Sequence, residues 1–112
     1  LIFELANEGD RVCQNILLNS GTELGEMLGG LLRKAGMEKL EVPIVMGGSV
    51  MGGSNPLMRD QLTTTIHRVA PKAEFLFPRI APVGGAVLLA LEELGIETEP
   101  AIHNRFAETL GL

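Results

Sequence analysis

The sequence has 112 residues, of which 46% are hydrophobic, and its formal net charge is -5. This is enough apolar side chain for a modest core, so residues 1–112 are predicted to form one soluble globular unit. The acidic balance and the absence of Trp and Tyr argue against nucleic acid, which is bound by basic groups and aromatic rings. No apolar run approaches the roughly 20 residues that span a bilayer, so no membrane partner is expected.

Cys13 is the single cysteine, so an intrachain disulfide is excluded. A lone thiol is typical of a reducing compartment, and the cytoplasm is therefore the predicted location. We expect Cys13 to be a small buried residue of a helix. The chain opens at Leu1, without Met, in what reads as the middle of a helix, which suggests a trimmed start or a piece of a longer protein.

The first half of the chain is predicted to be helical. Residues 1–6 read as the last turns of a helix that stops at residues 7–9, and Asp10 is placed to cap the next helix. Apolar residues then recur with a 3.6-residue period from Val12 to Ala35. Gly36 is the expected C-terminal cap of this long helix.

Three glycines, Gly21, Gly25 and Gly29, lie at four-residue intervals within the long helix. Each costs about 1 kcal/mol relative to alanine, so the stripe requires a compensating role. The favoured interpretation is close packing of another backbone against this smooth face. The alternative is that the stripe makes room for a flat ligand.

Strands and helices alternate in the rest of the chain. The predicted elements are a strand over Val42–Met46, a helix from Pro56 to Ala70, a strand over Ala73–Phe77, a buried helix over Pro82–Gly95 and a helix over Ala101–Leu110. Strands separated by single helices pair in parallel, which indicates an α/β fold. Because natural sheets usually have about four to six strands, neighbours of these two are expected outside the chain.

A glycine-rich turn follows the first predicted strand, with glycines at positions 47, 48, 52 and 53. Ligands of α/β proteins bind at such strand ends. The spacing is not that of a dinucleotide-binding G-x-G-x-x-G, and no lysine completes a Walker A loop. Two interpretations remain: a turn whose backbone lies against a ring or a ribose, or a tight connection without a ligand.

Three features occur in an order that resembles one protein family: the turn Val45–Met51, a strand ending in Phe77-Pro78, and the apolar helix Pro82–Leu91. The chain resembles the C-terminal part of N-acetylglucosamine kinases and of the ATPases that activate 2-hydroxyacyl-CoA dehydratases and benzoyl-CoA reductases. These belong to the superfamily of actin, sugar kinases and heat-shock chaperones. The resemblance implies an incomplete ribonuclease-H-like, actin-like ATPase lobe with a short parallel strand pair and four to five helices.

In that superfamily the double-glycine turn lies against the adenine and ribose of ATP. The resemblance therefore implies that Gly47, Gly48, Ser49 and Val50 bind adenosine. It also implies ATP and Mg²⁺ as cofactors and a sugar as the phosphoryl acceptor. The family's phosphate loops, metal-binding acid and catalytic Asp have no counterpart here and are expected in a part N-terminal to this chain.

The predicted function is thus the adenosine-binding portion of an N-acetylglucosamine kinase-like enzyme that is inactive alone. One alternative is a dehydratase-activating ATPase, for which cluster-binding cysteines outside the chain would decide. Another is a non-catalytic α/β interaction module. Because strand edges are expected to be uncovered, we predict self-association or pairing with the missing N-terminal part.

Other chemistry-bearing residues give no second site. His67 and His103 lack companion ligands at metal spacing, and both are expected to be surface or helix-face residues. Ser49 and Ser54 have no His-Asp arrangement nearby that would make either a nucleophile. No catalytic residue and no metal ligand is therefore assigned within the chain.

Overall fold

The computed structural model describes residues 1–78 and 80–109. Its elements are α1 (Ile2–Asn7), α2 (Arg11–Lys34), β1 (Pro43–Val45), α3 (Leu57–His67), β2 (Glu74–Leu76), α4 (Pro82–Glu93) and α5 (Pro100–Thr109). The chain divides into two compact units, Leu1–Leu76 and Phe77–Leu112. The first unit contains α1 to β2, and the second contains α4 and α5. Leu110, the predicted end of the last helix, lies outside the described residues.

The two strands pair in parallel, as predicted, with Ile44 opposite Phe75. Each is three residues long, against five in the predictions, but hydrogen bonds continue past both ends. The amide of Glu74 donates to the Val42 carbonyl at 2.9 Å, and the amide of Met46 donates to the Leu76 carbonyl at 2.8 Å. The mixed helix and strand character is confirmed, whereas the ribonuclease-H-like assignment stays a prediction.

The ends of α2 are set by local hydrogen bonds. Asp10 caps its N-terminus as predicted, because Asp10 Oδ1 accepts a hydrogen bond from the Cys13 amide at 2.8 Å. At the other end Ala35 is the cap and Gly36 follows it with a φ of 67°. The Gly36 amide donates to the Arg33 carbonyl and the Met37 amide to the Leu32 carbonyl, which is a Schellman motif. The cap is thus Ala35, one position before the predicted Gly36.

The core of the first unit lies between α2, α3 and the strands. Ile66 and Ala70 are completely buried in it. The buried residues of this cluster are Leu32, Met46, Leu62, Ile66, Ala70 and Ala73. A second cluster, beneath α1, consists of Ala6, Cys13, Leu17 and Met58. The expected burial of Cys13 on a helix is confirmed, and burial raises the pKa of its thiol.

The glycine stripe of α2 packs against α3, as the favoured interpretation of these glycines predicts. A Cβ added at Gly21 would overlap the Met58 carbonyl oxygen, and one at Gly25 would lie 2.6 Å from the Thr65 Cβ. A Cβ at Gly29 would lie 3.1 Å from a Val69 methyl carbon. Gly21 and Gly25 therefore let the two helix backbones approach closely, and Gly29 leaves room for Val69, just beyond the end of α3.

This packing changes which face of α2 is buried. The apolar period suggested a face that includes Val12, Met27 and Leu31, yet these side chains are 69%, 66% and 60% exposed. The buried residues are Cys13, Leu17, Gly21, Gly25, Gly29 and Leu32. The reason is that α3 packs against the glycine face of α2, where the two helix axes can come closest. Part of the apolar face of α2 is therefore left uncovered.

Two further predictions are corrected. Helix α3 begins at Leu57, with Pro56 as its cap instead of its first residue, and it ends at His67, before the predicted end at Ala70. Helix α4 was predicted to be buried, but Leu89 is 65% exposed and only Gly84 and Leu88 are buried. A unit of two short helices is too small to enclose an apolar helix on every side. Among the described residues, no helix combines the length and the apolar character that a membrane span requires.

The contact of Gly21 with α3 predicts that Gly21→Ala destabilises the protein. Overpacking costs about 1–3 kcal/mol, of which the better helix propensity of alanine returns up to about 1 kcal/mol. Gly30→Ala is the matched control, because a Cβ at Gly30 meets nothing within 4 Å. Urea unfolding should show a lower free energy of unfolding for Gly21→Ala and an unchanged or higher one for Gly30→Ala. Equal stabilities of the two variants would contradict the close packing.

The Asp10 cap predicts a dependence of stability on pH. The hydrogen bond from the Cys13 amide lowers the pKa of the Asp10 carboxyl in the folded protein. Its contribution to stability is therefore present above the pKa of unfolded Asp10 and is lost as the pH falls through the folded pKa. Asp10→Asn keeps a capping oxygen that does not titrate, so the variant should lack this loss. Free energies of unfolding measured between about pH 6 and pH 2 should diverge at the acid end. If the free energies of unfolding of the unmodified protein and of Asp10→Asn fall in parallel as the pH is lowered, the proposed role of the Asp10 carboxylate in stability is refuted.

Candidate functional site

The glycine turn leaves the core directly after β1. Met46 is buried at 5% exposure, and the next four residues, Gly47 to Val50, are all exposed. Gly48 has a φ of 90°, a backbone conformation that side chains with a Cβ rarely adopt. The predicted site residues Gly47, Gly48, Ser49 and Val50 are thus brought together at the carboxyl end of a parallel strand, where α/β proteins bind ligands.

The backbone of the turn offers unpaired donors. Among the described residues, the amides of Gly47, Gly48, Ser49 and Val50 donate no hydrogen bond within the chain. The turn is closed further along, where the Gly52 amide donates to the Gly48 carbonyl at 3.2 Å and the Gly53 amide donates to the Val50 carbonyl at 3.3 Å. Four consecutive exposed N–H groups can donate to ligand oxygen or ring nitrogen atoms.

An apolar groove of about 700 Å³ adjoins the turn, and Gly47 is part of its wall. The groove runs between α2 and β1. Its other lining residues are Leu24, Met27, Leu28, Gly30, Leu31, Lys34, Ile44, Val45, Met46, Met51 and Leu62. Lys34 is the charged member of this lining. A cavity with apolar walls and a few backbone donors at one end suits a flat, weakly polar ring system.

The two histidines belong to different elements, α3 and α5. Among the described residues, no group of three or more His, Cys, Asp or Glu side chains is placed to hold a metal ion. His67 Nε2 lies 3.0 Å from the Ala73 carbonyl oxygen, and its ring stacks edge-on against Phe75 at 5.1 Å between centroids. His103 is an exposed residue of α5. These positions agree with the helix-face roles predicted for both histidines.

Sequence reasoning missed the residues that hold the far end of the turn. Phe3 and Asn7 of α1 contact Gly53, Ser54 and Asn55, where the chain enters α3. The available signal was the second glycine pair, Gly52-Gly53, which the family resemblance does not explain. Asn55 is one of two buried polar residues among those described.

The sequence is similar to that of the N-acetyl-D-glucosamine kinase of Dictyostelium discoideum. The two are 33% identical over 92 residues, which make up 81% of this chain and 28% of the kinase. The chain thus spans less than a third of the length of this curated relative. No family model matches the sequence, and no solved structure matches it. The similarity favours a relationship to sugar kinases and does not by itself place the chain in the family.

Proposed function

We propose that this chain is the adenosine-binding portion of an ATP-dependent sugar kinase related to N-acetylglucosamine kinases. One observation carries the proposal. The turn Gly47–Val50 presents four unpaired amides at the carboxyl end of a parallel strand, beside an apolar groove. In this assignment the adenine ring lies against the turn and the groove wall, and the ribose faces the amides of Gly48 and Ser49.

The similarity to the Dictyostelium kinase supports the same proposal. It covers 81% of this chain, and the uncovered share is too short to leave out the whole region from β1 to α3. It favours a kinase over the dehydratase-activating ATPases. The complete enzyme would transfer the γ-phosphate of ATP to a sugar hydroxyl. Such reactions depend mainly on positioning and on electrostatic stabilisation of the phosphoryl group.

The site residues present here fit a nucleoside better than a phosphate chain. Glycine amides and apolar walls match a base and a ribose, but the turn carries no lysine or arginine to meet triphosphate oxygens. The residues that hold Mg²⁺ and the catalytic base would therefore belong to the remainder of the kinase. This chain matches only 28% of the relative, and the rest of the relative has no counterpart in it. A kinase that consumes ATP also agrees with the predicted cytoplasmic location.

Binding of adenosine can be tested with a substitution at the turn. Gly48→Val places a side chain where the nucleoside would lie and should weaken adenosine binding, measured as a dissociation constant by ligand-observed NMR. Gly36→Val is the matched control, because Gly36 also has a positive φ and nothing within 4 Å of an added Cβ, but it belongs neither to the turn nor to the groove lining. Both variants place a side chain at a positive φ, which side chains with a Cβ rarely adopt.

Gly36→Val should bind adenosine with the dissociation constant of the unmodified chain. Gly48→Val should bind at least about tenfold more weakly, which is equivalent to about 1.4 kcal/mol. An unchanged affinity of folded Gly48→Val, or no binding by the unmodified chain, would leave a tight structural connection as the better account of the turn.

The partner expected for the chain follows from its exposed apolar surface. Val45 of β1 is 64% exposed and Leu76 of β2 is 48% exposed, and each strand has one unpaired edge in the described sheet. Met27 and Leu31 extend this surface along the groove. We propose that the remaining part of the kinase covers it, and that in the isolated chain a second copy does so.

Light scattering across a range of concentrations should therefore show association of the isolated chain. Val45→Lys places a charge on the free edge of β1 and should shift the protein toward a monomer, since edge lysines oppose strand pairing. Glu74→Lys is the control, because Glu74 is an exposed residue of the other strand and already carries a charge. A strictly monomeric chain at high concentration would contradict the proposed uncovered interface.

A further inference from the structure

The glycine turn is attached at both of its ends. At the near end, Met46 is buried and its amide donates to the Leu76 carbonyl at 2.8 Å. At the far end, the chain is held against α1 by Phe3 and Asn7. We call this second attachment the α1 clamp; it consists of Phe3, Asn7, Gly53, Ser54 and Asn55. Between the two attachments lie the exposed residues that we assign to adenosine.

Side-chain hydrogen bonds form one half of the clamp. Asn7 Nδ2 donates to Ser54 Oγ at 3.1 Å, and Asn55 Nδ2 donates to Asn7 Oδ1 at 2.8 Å. Asn55 Oδ1 also accepts a hydrogen bond from the Leu57 amide at 3.0 Å, in the first turn of α3. Asn55 thus links α1 to the start of α3, and the Asn7 carboxamide uses both its donor and its acceptor on the turn.

Ring packing forms the other half. The ring of Phe3 lies so close to Gly53 that an added Cβ would be 2.6 Å from Phe3 Cε1. The Gly53 amide in turn donates to the Val50 carbonyl, and the Gly52 amide donates to the Gly48 carbonyl. Because Gly53 is fixed beneath the ring, these backbone hydrogen bonds from Gly53 and its neighbour Gly52 restrict Val50 and Gly48, which belong to the adenosine-binding stretch.

We propose that Phe3 and Asn7 of α1 are positioning residues for the nucleoside: they hold Gly53 and Asn55, and through them the turn Gly47–Val50, in its binding conformation. This inference rests on the proposed function. Neither residue is assigned a contact with the ligand. Their effect is to lower the conformational freedom that the turn would lose when adenosine binds, which is how preorganisation raises affinity.

The experiment compares four substitutions in the 112-residue chain. Asn7→Leu keeps the bulk of the side chain but removes both hydrogen bonds. Asn7→Asp keeps two oxygens, which can accept from Asn55 Nδ2 and from the Ser54 hydroxyl. Asn19→Leu, at an exposed position of α2, is the control for adding an apolar surface residue. Each is measured for its adenosine dissociation constant and for hydrogen exchange of the Gly52 and Gly53 amides.

Asn7→Leu should weaken adenosine binding about three- to tenfold, a loss within the range that one or two neutral hydrogen bonds contribute. It should also speed exchange of the Gly52 and Gly53 amides, because the turn is no longer fixed. Asn7→Asp should restore most of the affinity, and Asn19→Leu should match the unmodified chain. Because Asn7 is exposed, Asn7→Leu is expected to fold. Ser54→Ala removes one hydrogen bond of the clamp at another exposed position and should give a smaller effect in the same direction.

Three results would overturn the positioning role: an Asn7→Leu affinity equal to that of the unmodified chain, an affinity loss without faster exchange, or an Asn7→Asp variant as weak as Asn7→Leu. A failure of the proposed function looks different. In that case the unmodified chain binds no adenosine, whereas the exchange rates still change in Asn7→Leu, so the clamp orders the turn for some purpose other than adenosine.

Discussion

The close approach of α2 and α3 is the contact on which the rest of the first unit depends. It is possible only because Gly21 and Gly25 present no side chain to α3, so that the Met58 carbonyl and the Thr65 side chain lie against bare backbone. Gln61 Nε2 adds a hydrogen bond to Thr22 Oγ1 at 3.0 Å across the same contact. Since α3 follows the glycine turn directly, the helix pair determines where the turn must end. The helix propensity lost at three glycines is offset by the dispersion contacts of two closely packed backbones.

The turn itself is a short bridge between two fixed points. One is the buried end of β1 at Met46, and the other is the pair Gly53 and Asn55, held by α1 at the entrance to α3. Between them, Gly47 to Val50 are exposed and leave their amides unpaired, which is costly in a protein interior and useful at a binding surface. The arrangement separates two tasks: helix packing and the clamp provide rigidity, and the exposed glycine backbone provides the surface for a ligand.

Local sequence signals predicted those features that local physics controls. The Asp10 cap and the alternation that leads to parallel strands depend on a few neighbouring residues, and the four-residue spacing of the glycines marks a smooth face on α2 that can be packed closely. The buried face of α2 and the α1 clamp did not follow from such signals. Asn7 and Asn55 are 48 positions apart, so their hydrogen bond depends on how α1 and α3 are arranged in space. For the turn, residue types alone left a ligand loop and a plain connection open, and adenosine was implied by resemblance to sugar kinases.

The most direct test of the central claim is an NMR titration of the isotope-labelled chain with adenosine. We expect the amide signals of Gly47, Gly48, Ser49 and Val50 to shift most, because these exposed N–H groups face the ligand in the proposed site. Signals of Val69 and Lys72, which line a separate small pocket with Glu38, Lys39 and Pro71, should stay in place. Shifts confined to that second pocket, or no shifts at the turn at saturating adenosine, would contradict the assignment of the glycine turn as a nucleoside-binding wall.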